Sequence, residues 1–182
     1  MLSSLLLCCM MSLGDSLPVV DTTPFIPRRF VLSDTQPRPK AVTHSDAYYT
    51  RLTIHRWGSY TMLPLFAAEV ALGQNLINDS RPPSWIKPTH VGVALGIGAL
   101  FTTNTVTGVW NLWESRKDPA GRTRRFVHSA LMIASDAGFV ATGLLGDDAG
   151  HSVHSQDRHR TVALTSMAVA AVGGAIMWFW KD

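Results

Sequence analysis

The hydrophobic positions of this chain gather into four apolar runs, at residues 57–77, 91–113, 126–145 and 162–180. Each is close to the ~20 residues that an α-helix needs to cross the hydrocarbon core of a bilayer. None is purely aliphatic. Gly, Ala, Ser and Thr are interspersed, as in membrane helices that pack on one another. Membrane β-strands would be shorter and would alternate apolar with polar positions. The separators are equally clear. NDSRPPSWIKP lies between the first two runs, with Pro82, Pro83 and Pro88 against helix continuation. ESRKDPAGRTRR separates the second from the third, and GDDAGHSVHSQDRHR the third from the fourth. Trp85, Trp110, Trp113, Trp178 and Trp180 fall near the run ends, where aromatic belts sit.

The pattern predicts an all-α integral membrane protein: an antiparallel four-helix bundle over residues 46–182, preceded by an irregular N-terminal extension over 1–45. That extension carries five prolines, Pro18, Pro24, Pro27, Pro37 and Pro39, and lacks the periodicity to form its own core. Its leading stretch, 1–13, is apolar but short. It reads either as a weak targeting or tethering element or as a ragged terminus.

Composition supports the membrane reading. The chain is 46% hydrophobic and 16% charged, below the ~25% usual for soluble domains. The net charge of +3 is concentrated in Arg116, Lys117, Arg122, Arg124 and Arg125. Lying between two apolar runs, this cluster marks a cytoplasmic loop rather than a nucleic-acid surface. Four spans then place both termini in the cytoplasm, in an inner or organelle membrane. The only cysteines, Cys8 and Cys9, are adjacent, so there is no disulfide framework and no C-x-x-C-H attachment for covalent haem.

Four of the seven histidines share one setting: His55, His90, His128 and His159 each stand at the start of an apolar run. Successive spans run in opposite directions. His55 and His128 therefore fall on the cytoplasmic side, and His90 and His159 on the other. In an up-down-up-down bundle each pair is diagonal and can face across the axis, with room for a flat macrocycle between the imidazoles. Eleven residues after the histidines come Phe66, Phe101, Phe139 and, in the fourth helix, Ala170. Eighteen residues after come Gly73, Gly108, Gly146 and, again departing, Met177. Both offsets return to the histidine face. The glycines would leave space for a porphyrin edge, and the phenylalanines would pack between two haem levels. Bare zinc prefers four clustered ligands, which two separated pairs do not supply.

The segments IHRWGSY, KPTHVG, RRFVHSAL and DRHRTVALTSM resemble the four ligand regions of the cytochrome b561 superfamily. Its four central helices carry one histidine each, paired first with third and second with fourth around two haems b. The resemblance covers about residues 46–182 and implies two non-covalent haem b groups. It also implies transmembrane electron transfer, often from ascorbate or a quinol. Membrane lipid is an expected partner, as are further subunits of a redox complex or a second copy of the chain.

Other polar residues extend the picture. Arg124, Arg125 and Arg160 lie near the ligand histidines and suit haem propionates, as they suit interfacial anchoring. Glu69 and Asp136 fall inside spans, where carboxylates are costly and default to a functional reading. They would relay protons, bind a partner helix, or pair with Asn104, Thr102 or Ser135. His151 and His154 beside aspartates are expected in a solvated polar loop rather than on a metal. Two rival readings remain at this level: a haem-free four-span structural or assembly subunit, and a small transporter using Glu69 and Asp136. The spans lack the paired midplane breaks of a transporter.

Overall fold

The computed structural model describes residues 42–181. The expectations for residues 1–41, including the leading apolar segment and Cys8 and Cys9, lie outside the described residues. What is described is all-α, with no strand: α1 (Asp46–Asn78), α2 (Ile86–Glu114), α3 (Arg122–Leu144) and α4 (Val153–Phe179), with 3₁₀ turns at Ser115–Lys117 and Asp148–Gly150.

The helices begin earlier than the apolar runs. α1 starts at Asp46, well before residue 57, because Ser45 caps it: its hydroxyl accepts from Tyr48 N–H at 3.1 Å, and Asp46 places an acid in the first turn. α4 starts at Val153, well before residue 162, because Ser152 accepts from Ser155 N–H at 3.1 Å. The stretch expected as loop around His154 is therefore helix. α2 begins at Ile86 and takes in Pro88, which sits in the first turn where no intrahelical N–H is needed. Pro82 and Pro83 do separate α1 from α2. α1 runs through Pro64, as bundled membrane helices can. Gly121 begins α3 with φ 64°, a left-handed conformation that favours glycine. Arg125 N–H bonds its carbonyl at 3.0 Å.

Packing is uneven. α1 lies along α2, and α3 along α4, as two antiparallel hairpins; contact between the hairpins is much sparser. The seams inside the hairpins are built from small residues. A Cβ on Gly58 would run into the Asn104 side chain, and one on Gly138 into Ser166. One on Gly173 would lie 2.7 Å from Met132 Cε. Ser135 is fully buried and donates to the Ser166 carbonyl at 2.8 Å. Between the hairpins the middle is aromatic. Phe66, Phe101 and Phe139 meet with ring centroids 4.7 to 6.2 Å apart, with Met62, Ile97 and Ala170 completing the core.

Three helical stretches, Ile86–Lys117, Arg122–Leu144 and Val153–Phe179, are long and apolar enough to cross a membrane; α1 is not among them. Their outer faces are apolar too. Leu95, Trp110, Phe126, Val140, Leu144 and Phe179 are all more than 60% exposed. Such a surface is at home in lipid.

Candidate metal centres

Each histidine lies within the first three turns of its helix, and the antiparallel hairpins set their levels. His55 on α1 stands beside the end of α2: a Cβ on Gly108 would meet its imidazole at 3.2 Å. His90 on α2 stands beside the end of α1, with the same contact to Gly73 at 3.5 Å. Along α1, Glu69 and Gly73 follow His55 by about four and about five turns. The two levels are thus ~21–27 Å apart along the axis.

The diagonal partners face one another. The ring centroids of His55 and His128 are 6.0 Å apart with planes at 76°. Those of His90 and His159 are 6.3 Å apart at 68°. Each pair joins one histidine of each hairpin. A metal–imidazole bond is ~2 Å and a ring centroid sits ~1 Å behind the bonding nitrogen, so two imidazoles sharing one metal stand ~6 Å apart. Both pairs fit that spacing, and planes crossed at this angle still allow both rings to point at one iron.

The other ring nitrogen meets the neighbouring helix through one repeated register. About four turns beyond each histidine stands a residue that faces the histidine of the hairpin partner. These residues are Glu69, Asn104, Thr142 and Gly173. His55 Nδ1 bonds the Asn104 carbonyl at 3.0 Å, with Thr107 Oγ1 at 3.4 Å. His128 Nδ1 bonds the Gly173 carbonyl at 2.8 Å, and His159 Nδ1 the Thr142 carbonyl at 3.0 Å. A carbonyl only accepts, so in these three rings Nδ1 carries the proton and Nε2 keeps the lone pair that a metal needs. At His90 the arrangement changes. Its Nδ1 lies 3.1 Å from Glu69 Oε1, a side-chain carboxylate. The two are out of line for a hydrogen bond, and Nδ1 has no other partner among the described residues.

A cavity of about 430 Å³ opens between the hairpins at the His55 and His128 level. Phe66, Phe101, Gly108, Met132 and Arg125 are among its walls. The structure thus brings the four histidines together in twos. Among the described residues no group of three or more His, Cys, Asp or Glu gathers at one point.

The expected glycines have a more immediate neighbour than a porphyrin edge. Gly73 and Gly108 face the imidazole of the other helix in their hairpin. Gly146 lies just past the end of α3, 4.0 Å at its Cβ position from His159 Cε1. Arg125 donates to the carbonyls of Ala120 and Asp118 and so braces the α2–α3 loop while lining the cavity. Arg124 donates to the Trp180 carbonyl at 2.7 Å. With the Gln74 amide turned so that its oxygen faces the guanidinium, that oxygen accepts from Arg160 Nε and Nη2 at 3.1 and 3.2 Å, across the hairpins.

Glu69 and Asp136, expected inside spans, find partners other than those expected. Asp136 accepts from Thr105 Oγ1 at 2.6 Å, and Glu69 sits against His90. Asn104, Thr102 and Ser135 bond elsewhere: to Ser59, to the Gly98 carbonyl and to the Ser166 carbonyl. Sequence reasoning singled out Glu69 and named Asn104 as a candidate partner for it, but missed that these two, with Thr142 and Gly173, face the imidazoles from the neighbouring helix. Their signal was available, since a spacing of about four turns returns nearly to the histidine face. Backbone acceptors carry no residue-type signature, however. It also missed Arg51, which joins Asn111 at 2.8 Å and pairs with Glu114 at the far end of the α1–α2 seam.

No known protein-family model, curated protein or solved structure matches this chain.

Proposed function

We propose that this chain is a transmembrane electron-transfer cytochrome that holds two b-type haems without covalent attachment. His55 and His128 would ligate one haem, and His90 and His159 the other. The observation that carries the reading is the pair of diagonal imidazole sets at 6.0 and 6.3 Å. Three of the four rings are anchored at Nδ1 on a backbone carbonyl. Structural histidines of a haem-free subunit have no reason to keep Nε2 unspent at one common spacing.

Bound haem iron supplies reversible one-electron chemistry; the protein supplies ligation, orientation and electrostatics. The carbonyls of Asn104, Gly173 and Thr142 fix tautomer and ring direction. Phe66, Phe101 and Phe139 fill the space between the two levels and keep it dry. Arg125 at the cavity wall, and Arg124 and Arg160 nearby, supply positive charge for propionates. α1 joins the three apolar helices as a fourth span, because it packs along the length of α2. The basic α2–α3 loop then lies in the cytoplasm with both termini, in an inner or organelle membrane. Electrons would come from a quinol or ascorbate. Lipid surrounds the bundle, and further redox subunits or a second copy are fitting partners.

The test is the reduced-minus-oxidised visible spectrum of the full chain purified in detergent, with haem quantified. The expected result is a b-type spectrum with two haems per chain. Protein made with ample haem that contains none would reject the cytochrome and leave a four-helix structural subunit.

A further inference from the structure

The two histidine levels are not equivalent, and the difference lies in one side chain. Three imidazoles are anchored at Nδ1 by a neutral backbone carbonyl. The fourth, His90, has the Glu69 carboxyl in that place, 3.1 Å away. The Glu69 side chain is only 8% exposed. Among the described residues its Oε2 has no hydrogen-bond partner, and neither does His90 Nδ1. Oε1 lies against Nδ1, and neither Nδ1 nor the other carboxylate oxygen makes a hydrogen bond, so a small turn of the carboxyl would let it accept from Nδ1 and leave neither buried group unmet. Glu69 also occupies the register position that supplies a carbonyl to the partner histidine in the other three cases. It therefore substitutes for a carbonyl in a repeated arrangement.

We infer that Glu69 is a positioning residue that holds His90 through Nδ1 and makes the haem on the His90–His159 side the lower-potential one of the two. The inference rests on the cytochrome reading. A carboxylate behind a metal-bound imidazole draws on its Nδ1 proton and makes Nε2 a stronger donor. It also puts negative charge close to the iron. Both favour the ferric state, which carries one more positive charge than the ferrous state, and a haem favoured as ferric has a lower potential. On the other side, Nδ1 of His55 and of His128 faces only neutral groups, the Asn104 and Gly173 carbonyls and the Thr107 hydroxyl. The asymmetry gives electrons a downhill direction, from the His90–His159 face towards the His55–His128 face.

Redox titration of the detergent-purified full chain, followed by visible absorbance, tests this. The wild-type chain should show two one-electron steps. The lower should be absent from His90→Ala and the upper absent from His55→Ala. In Glu69→Gln, which keeps the shape and loses the charge, the lower step should move up while the upper stays. Glu69→Asp should return it towards the wild-type position. Two results overturn the inference: a lower step that belongs to His55, or a Glu69→Gln chain with two haems and both steps unmoved. If Glu69→Gln does not retain the second haem, Glu69→Asp, which keeps the charge, must hold it with the lower step near its wild-type position, and a lower step that has risen there overturns the inference. A chain that holds no haem at all rejects the cytochrome itself, a failure visible before any titration.

Discussion

The seams inside the two hairpins and the space between them are built on opposite plans. Inside, Gly58, Gly138, Gly173, Ser135 and Ser166 bring the helices together, and at the three glycines not even a methyl group fits without a shift. Between, the contacts are sparser and involve large side chains: two histidine pairs, the phenylalanines, Tyr60 with Trp178, the Thr105–Asp136 and Arg160–Gln74 bonds, and a cavity. Small residues suit a membrane seam, because lipid offers no hydrophobic gain and association depends on close contact. The open space suits a flat cofactor gripped from both sides. The bundle is two closely packed halves with looser contact between them, and a haem held by one histidine of each half would also fasten the halves together.

The largest effect should come from cutting that fastening. His128→Ala is expected to lower haem content from two per chain to one. It should also leave the hairpins held at one level only, read as a clear fall in thermal midpoint in detergent. An unchanged haem content would contradict the two-halves account outright. Phe139→Ala removes the ring that touches both Phe66 and Phe101. A cost of ~3 kcal/mol is expected, with both haems retained, measured by denaturant titration in detergent. Loss of haem in parallel would mean that the aromatic layer also shapes the pockets.

The inner seams should respond differently. Gly138→Leu forces a side chain into Ser166 on α4 and is expected to destabilise by ~1–3 kcal/mol. Because it prises apart α3 and α4, it should loosen the Gly173 and Thr142 anchors of His128 and His159. Broadened absorption bands from both haems would show this. The smallest effect should be that of Thr105→Val, which deletes the bond to Asp136 between α2 and α3. Interhelical hydrogen bonds in membranes average ~0.6 kcal/mol, so a shift near the limit of thermal measurement is expected. A large one would give Asp136 a role beyond joining the hairpins.

Much of this was legible in the chain itself. Four helices, their order and their breaks follow from apolar run length and from Pro82, Pro83 and Gly121. Bilayer-length apolar runs leave a backbone few options other than helix. His55, His90, His128 and His159 stood out because each heads a run. Phe66, Phe101 and Phe139 stood out because helical phase is a property of one stretch of sequence. The helix starts at Asp46 and Val153 were missed, since a serine cap makes a polar stretch helical without any apolar signal. The tertiary structure alone sets how neighbours share a register. That Gly108 makes room for His55, and that Gly173 and Thr142 offer carbonyls to His128 and His159, depends on the vertical offset between antiparallel helices. So does the placing of Glu69 against His90 rather than Asn104. Backbone acceptors look the same at every residue, and the offset is set by close contact in the seams, which a one-dimensional pattern does not contain.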